Sequence, residues 1–370
     1  DMMNSEENMQ YQLQCVLSNP GSSAFPLMQA LYRENQGTAT QADIERLAKA
    51  RATDTDWIDE MTRTGFLQDH SVTISGGANK TKFFISGSIL SQEGILNKSG
   101  MDRYSGRFNI DHKAKDWFDV GLKLTMGYSM IDFADPSGSS NRTSYLNPWF
   151  TSLLAYPYES PDDWYNGDNP TLLTKYLDNK TNKLKTVGSV YANIRITDWL
   201  TLRTNYGMDF MYNRSDNTRH RDHPKSSNDM GSYGYSASEL MRYTWTNTLS
   251  FNKELDNGHS INAVAGMEMF EGKYVSHGYT GYDLNANMMG SPAGIGDKTG
   301  TSAFPPSISG SRTASNLLSF FMQGSYSIGN KYNISESIRH DSSSKFQGDN
   351  KNAVFWSGGL SWNINQEEWM

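Results

Sequence analysis

Short and long gaps alternate strictly along this chain, and few folds tolerate that pattern. About eleven segments read as strands: 70–76, 81–91, 102–113, 117–130, 186–197, 199–212, 237–252, 259–271, 314–328, 331–341 and 353–365. The first gap and every second one after it are tiny, namely 77–80, 114–116, residue 198, 253–258 and 329–330. The gaps between these are longer, at 92–101, 131–185, 213–236, 272–313 and 342–352. A soluble sandwich has no reason to gather its long loops at one end. A membrane-spanning barrel does, because its strands leave the bilayer alternately into short turns and long loops.

The strands themselves carry the signature of two different surroundings. From Phe118 the even positions read Phe118, Val120, Leu122, Leu124, Met126, Tyr128 and Met130, while the odd ones read Asp119, Gly121, Lys123, Thr125, Gly127 and Ser129. Alternate residues of a strand face opposite sides, so one side is apolar and the other polar or small. Leu200, Leu202, Tyr206, Met208, Phe210 and Tyr212 stand in the same way against Thr201, Arg203, Asn205, Gly207 and Asp209. Near the end, Val354, Trp356, Leu360, Trp362 and Ile364 oppose Ser357, Gly359, Ser361 and Asn363. A half-buried antiparallel sheet facing water would give one such strand, but not the whole series with one-sided loops. The pattern predicts lipid contact for Leu122, Leu124, Met126, Leu202 and Met208. Trp117, Trp199 and Tyr332 each follow a short turn, where amphipathic rings would form an interfacial girdle.

Composition closes off other classes. No run of 18 apolar residues exists and the mean hydropathy is -0.64, so no transmembrane helix is expected, a result that leaves barrels untouched. A net charge of -7 with acids and bases mixed provides no basic stripe for nucleic acid. Cys15 is the single cysteine, which removes intrachain disulfides and cysteine-rich metal sites. The chain opens without a charged-then-apolar leader, and eleven is an odd strand count for a single-chain bacterial barrel. Both features suggest a piece of a longer polypeptide.

The stretch from Thr55 to Tyr128 carries a family likeness. Asp56-Trp57-Ile58-Asp59-Glu60, Arg63-Thr64-Gly65-Phe66 and His70-Ser71-Val72-Thr73-Ile74-Ser75-Gly76-Gly77 resemble the start of the barrel in SusC/RagA-type TonB-dependent transporters. The likeness continues through Lys82-Phe83-Phe84-Ile85-Ser86-Gly87, Gln92-Glu93-Gly94-Ile95 and Arg103-Tyr104-Ser105-Gly106-Arg107-Phe108. Asp168-Asn169-Pro170 is similar to a loop element of the family, and Tyr332 to Phe346 to a barrel hairpin, with Ser342 where the family usually has Gly. The resemblance covers most of 55–130 and 186–365.

What it implies is an all-β fold: an antiparallel transmembrane β-barrel, here about eleven strands of a larger one, with long outer loops. Residues 1–69 would form an outer loop and helical segment leading in, with a short helix over Gln41 to Arg51, and 70–370 the partial barrel. The implied function is import of a bulky nutrient, glycan or peptide, across the outer membrane of a Gram-negative bacterium. The implied partners are outer-membrane lipid, a SusD-like lipoprotein over the loops, and TonB acting through parts outside this chain. A siderophore or vitamin receptor of the same fold, and a non-transporting adhesin or structural barrel, are the alternatives.

Local motifs add little chemistry. No nucleophile is placed beside a base, so no catalytic residue, cofactor or metal site is assigned and the chain is not read as an enzyme. Asp162 to Asp168 lacks calcium-loop spacing and reads as a solvated acidic turn. His220 and His223, the closest histidine pair, lie in a long loop with no cysteine near, and the Asn141-Arg142-Thr143 sequon carries little weight. The candidates for ligand binding are loop aromatics: Trp149, Tyr156, Tyr158, Trp164 and Tyr165, with Phe150 among them. Aromatic faces stack on sugars or peptide side chains, and tyrosine adds a hydrogen-bonding tip. Packing of the loop against its neighbours is the other reading of the same residues.

Overall fold

The computed structural model describes residues 2–19, 25–133, 148–163, 169–255, 258–296, 305–329, 331–367 and 369–370. Eleven strands form one antiparallel meander, each hydrogen-bonded to the next in sequence. They are β1 (Leu67–Ala78), β2 (Thr81–Glu93), β3 (Gly100–Lys115), β4 (Phe118–Phe133), β5 (Leu177–Thr197) and β6 (Leu200–Arg219). Then follow β7 (Ser232–Glu254), β8 (Ser260–Tyr282), β9 (Ser307–Ile328), β10 (Tyr332–Ser343) and β11 (Asn352–Trp362). The end strands β1 and β11 each have one neighbour among the described residues.

Register turns the period of two into two continuous faces, because residues directly opposite in a ladder project to the same side. One row runs Ile74, Ile85, Phe108, Leu124, Gly188, Met208, Tyr243 across β1 to β7. A second runs Phe118, Ile194, Leu202, Leu249, Ala265, Met322, Ile338, Trp356 across β4 to β11. Leu122, Leu124, Met126, Leu202 and Met208 all fall on this apolar face, as the alternation requires. Glu336, opposite Gly324 and Gly358, breaks the apolar run on β10. The opposite face carries Arg107, Thr125, Val187, Asp209 and Arg242 in one row. A sheet with one apolar face and one polar face is a barrel wall, with lipid on one side and the lumen on the other.

The rim at the short turns repeats one small unit. Trp117 packs on Phe118 with the Lys115 ammonium 5.5 Å from its ring centre. Trp199 packs on Phe251 under Lys253, and Tyr332 stacks on Trp362 under Lys331. Each unit puts a flat amphipathic ring and a cation at the same level, as an interface between hydrocarbon and headgroups favours.

Two sequence expectations need correction. The strands β5 to β9 are longer than read: β7 and β8 have 23 residues each, about twice the roughly 9–11 that cross a bilayer. The added residues lie at the long-loop end, so the gaps expected at 131–185, 213–236 and 272–313 are partly strand. Among the described residues the amino-terminal segment holds four helices, three more than expected: α1 (Ser5–Ser18), α2 (Pro26–Asn35), α3 (Gln41–Ala52) and α4 (Trp57–Met61). Helix α3 matches the expected helix almost residue for residue. Ser342 lies inside β10, paired with Asn352 and Leu318, so it needs no glycine-like turn there.

The four helices form a cap on the long-loop end. Asn97 donates its backbone N–H to Met61 and Arg63 to Ile95, which ties the exit of α4 to the β2–β3 connection. Local sequence sets the helix starts. Asn4 with Glu7 and Thr40 with Asp43 form reciprocal capping boxes, and Pro26 sits at the first turn of α2. Met9, Leu27, Ala30, Leu31, Leu47 and Ala50 make the cap's core.

Candidate functional site

The long β4–β5 connection supplies the loop aromatics, and it folds onto the cap. It contains α5 (Pro148–Leu154) and α6 (Pro170–Lys175), the latter capped by the Asn169 side chain. Tyr156 and Tyr158 lie ring over ring, with centroids 5.0 Å apart and planes 9° from parallel. Phe25 meets Tyr156 edge-on at 6.4 Å. Tyr158 is 3 % exposed and belongs to the cap core, so its ring seals the loop to the helices. Trp57 is buried beneath and donates its indole N–H to the Tyr156 carbonyl at 2.9 Å, while Thr55 N–H reaches the Pro157 carbonyl. Burial, with Glu159 nearby, pushes the Tyr156 phenol above its ordinary pKa.

The candidates are therefore divided. Tyr156 and Tyr158 come together, but as the joint between loop and cap. Trp149 is half-buried on α5 beside the exposed Phe150. Trp164 and Tyr165 lie outside the described residues, as do most of the acidic turn and the Asn141 sequon. Beside this joint, the Lys98 ammonium bonds the carbonyls of Lys175 and Leu177 and the carboxylate of Asp178, which also meets His220 at 2.8 Å. Burial opposes ionisation of Asp178, yet these two partners hold its pKa below the usual value.

A second set of side chains, not singled out from the sequence, lines the polar face. Tyr191 donates its hydroxyl to Asp111, and the Arg203 guanidinium lies 4.5 Å from the Tyr191 ring centre. Gly121 stands opposite both Asp111 and Tyr191, and a Cβ there would collide with the Tyr191 ring. Further along, Arg339 bonds Asp341 at 2.7 Å, Ser319 at 2.9 Å and Glu268 at 3.4 Å. The signal for these was present in the odd positions of 103–125 and 183–209, where charged and small residues recur at period two. Among the described residues no group of three or more metal-ligating side chains occurs.

No protein-family model matches the chain. TonB-dependent receptor P3 of Formosa agariphila is 26 % identical over 388 residues, which cover 99 % of this chain and 36 % of the relative. TonB-dependent receptor SusC of Bacteroides thetaiotaomicron is 22 % identical over 395 residues, 96 % of this chain and 37 % of the relative. The chain spans about a third of the length of the curated relatives it matches, between 30 % and 37 %. In fold it is similar to the solved structure of the RagAB peptide transporter, with a TM-score of 0.77, 21 % identity, and coverage of 99 % of this chain and 42 % of that one. The likeness first carried by residues 55–130 and 186–365 thus extends over nearly the whole chain.

Proposed function

We propose that this relative of the SusC/RagA-type TonB-dependent transporters forms part of the barrel wall of an outer-membrane importer for a bulky nutrient, glycan or peptide. One observation carries the reading: the cap and the long connections gather at one end of a wall with one apolar and one polar face. Such a wall separates lipid from a lumen, and the crowded end is the side where cargo would be received. The cap and loops face the cell exterior, where a SusD-like lipoprotein would cover them. The short-turn rim, with its lysine and aromatic units, faces the periplasm. Energy for uptake comes from the inner-membrane proton gradient through TonB, so the wall needs no nucleotide site of its own. Similarity to the RagAB peptide transporter in fold supports the import reading over an adhesin.

The test uses the full-length protein in a Gram-negative host. An epitope inserted after Gly37, an exposed position with φ +69° and open space around it, is expected to bind antibody on unpermeabilised cells. Uptake of a fluorescent oligosaccharide or peptide pool is expected to collapse when TonB is deleted or the gradient is dissipated. An epitope seen only after permeabilisation would reverse the orientation, and gradient-independent uptake would remove the TonB reading.

A further inference from the structure

The polar faces of β3 and β5 carry four cations that no carboxylate neutralises among the described residues. Arg103 and Arg107 project from β3 and Lys183 and Lys185 from β5, all exposed. Arg103 and Lys183 both stand opposite Ser129, so their backbones lie two strand spacings apart, about 10 Å. Arg107 pairs with Thr125, and Lys185 with Gly127. The patch measures about 10 by 14 Å, and the β4 residues between its two edges are small and neutral. Among the described residues, none of the four has an ion-pair partner. Elsewhere on the same face Arg195 pairs with Asp119, Arg242 with Asp209 and Arg339 with Asp341 and Glu268, while Lys123 and Arg203 lie over the Tyr191 ring.

Position sharpens the contrast. All four cations lie in the long-loop halves of their strands, whereas the short-turn end of the same face holds the paired Arg195 and the Asp111–Tyr191 bond. A hollow of about 380 Å³ continues the patch, lined by Lys123, Thr125, Ser189, Gly207, Asp209 and Arg242. Like charges held this close repel, and a wall lined by one sign concentrates counter-ions of the other. The whole chain is acidic at -7, so a basic concentration here is a local feature and not a general one.

We propose that Arg103, Arg107, Lys183 and Lys185 form an anion-binding surface on the lumenal wall, and that the cargo is a polyanionic oligomer. This rests on the import reading above. The repeating charge can belong to a uronate-bearing oligosaccharide or to an acidic peptide. Either would present carboxylates at intervals that several cations can follow at once.

The experiment uses the purified full-length protein in detergent and three fluorescent probes of equal length: hexagalacturonate, hexaglutamate and maltohexaose. At least one anionic probe is expected to bind more tightly than maltohexaose, with affinity falling as salt rises. Whichever does so identifies the source of the charge. Changing all four residues to Gln is expected to weaken that binding at least about tenfold and to leave maltohexaose unchanged. Exchanging Arg for Lys and Lys for Arg at the four positions is expected to keep it, because charge and not shape is read. Equal binding of all probes, or an all-Gln variant that still prefers anions, would overturn the proposal. So would an all-Gln variant whose heat-modifiable band on gels is lost while the exchanged variant keeps its own, since the cations would then hold protein and not cargo. Loss of gradient-dependent uptake in cells bears on the import reading alone, because binding to the purified protein remains readable.

Discussion

Leu47 in the helical cap has no exposed surface, whereas Leu360 in the strand wall is 83 % exposed. The two residues stand for their regions. The cap buries Leu27, Leu31, Leu47, Trp57 and Met61 among its own helices and the β4–β5 connection, as a water-soluble domain does. The wall leaves Val72, Ile74, Trp356 and Leu360 uncovered on one face. An uncovered apolar face of this extent is unfavourable in water, and it is what a strand presents to hydrocarbon. The cap makes its own interior, while the wall depends on the bilayer for one.

Trp57→Ala gives the largest expected effect. Removing a fully buried aromatic costs about 3–5 kcal/mol, and here it also removes the bond to the Tyr156 carbonyl. The cap and the β4–β5 connection should open together to protease in the full-length protein, with the heat-modifiable mobility of the barrel on gels unchanged. Loss of that mobility would mean that cap and wall fold as one unit.

Leu124→Arg comes next. A charge at mid-depth on a lipid face costs about 2–4 kcal/mol, so folding into vesicles should suffer, while Lys123→Ala on the opposite face should be nearly silent. Equal damage from both would cancel the assignment of the faces. On the polar side, Gly121→Ala should displace the Tyr191 ring and break its bond to Asp111, costing about 1–3 kcal/mol in urea unfolding. No measurable change would show that the ring has another place to go.

The smallest effect is that of acid on the cap. Arg33 and Thr40 hold the buried Asp43 carboxylate far below its ordinary range. A depressed folded pKa contributes stability that is fully present above the unfolded value of about 4 and fades as pH falls through the folded one. The difference in cap protection between the natural protein and Asp43→Asn, followed by hydrogen exchange, should be full at neutral pH and shrink on acidification. A difference that grew in acid would contradict the sign.

The same contrast explains what was legible in the sequence. In the lipid band each strand separates two solvents, so Leu122, Leu124 and Met126 alternate with Gly121, Lys123 and Thr125, and all eleven strands could be found. Beyond the band both faces meet water. Thr181-Asn182-Lys183 and Asn213-Arg214-Ser215 extend β5 and β6 with no apolar alternation to mark them. In the cap the difficulty was opposite. Helix α1 buries Ser5 and Gln12 beside Met9 and Val16, which blurs its apolar stripe, and only the Asn4–Glu7 capping box announces it. The joint made by the loop tyrosines was not legible either, because nothing in sequence shows that Trp57, 99 residues before Tyr156, lies beneath them.

The most direct measurement places single nitroxide labels at Leu124, Lys123 and Ile44 in turn, in the full-length protein with Cys15→Ser, reconstituted into bilayers. Collision with lipid-soluble oxygen and with a water-soluble nickel chelate then reports the solvent at each site. Position 124 is expected to favour oxygen, and positions 123 and 44 the chelate. Oxygen preference at 123, or at 44 in the cap, would contradict a wall that stands between lipid and lumen with its helical cap in water.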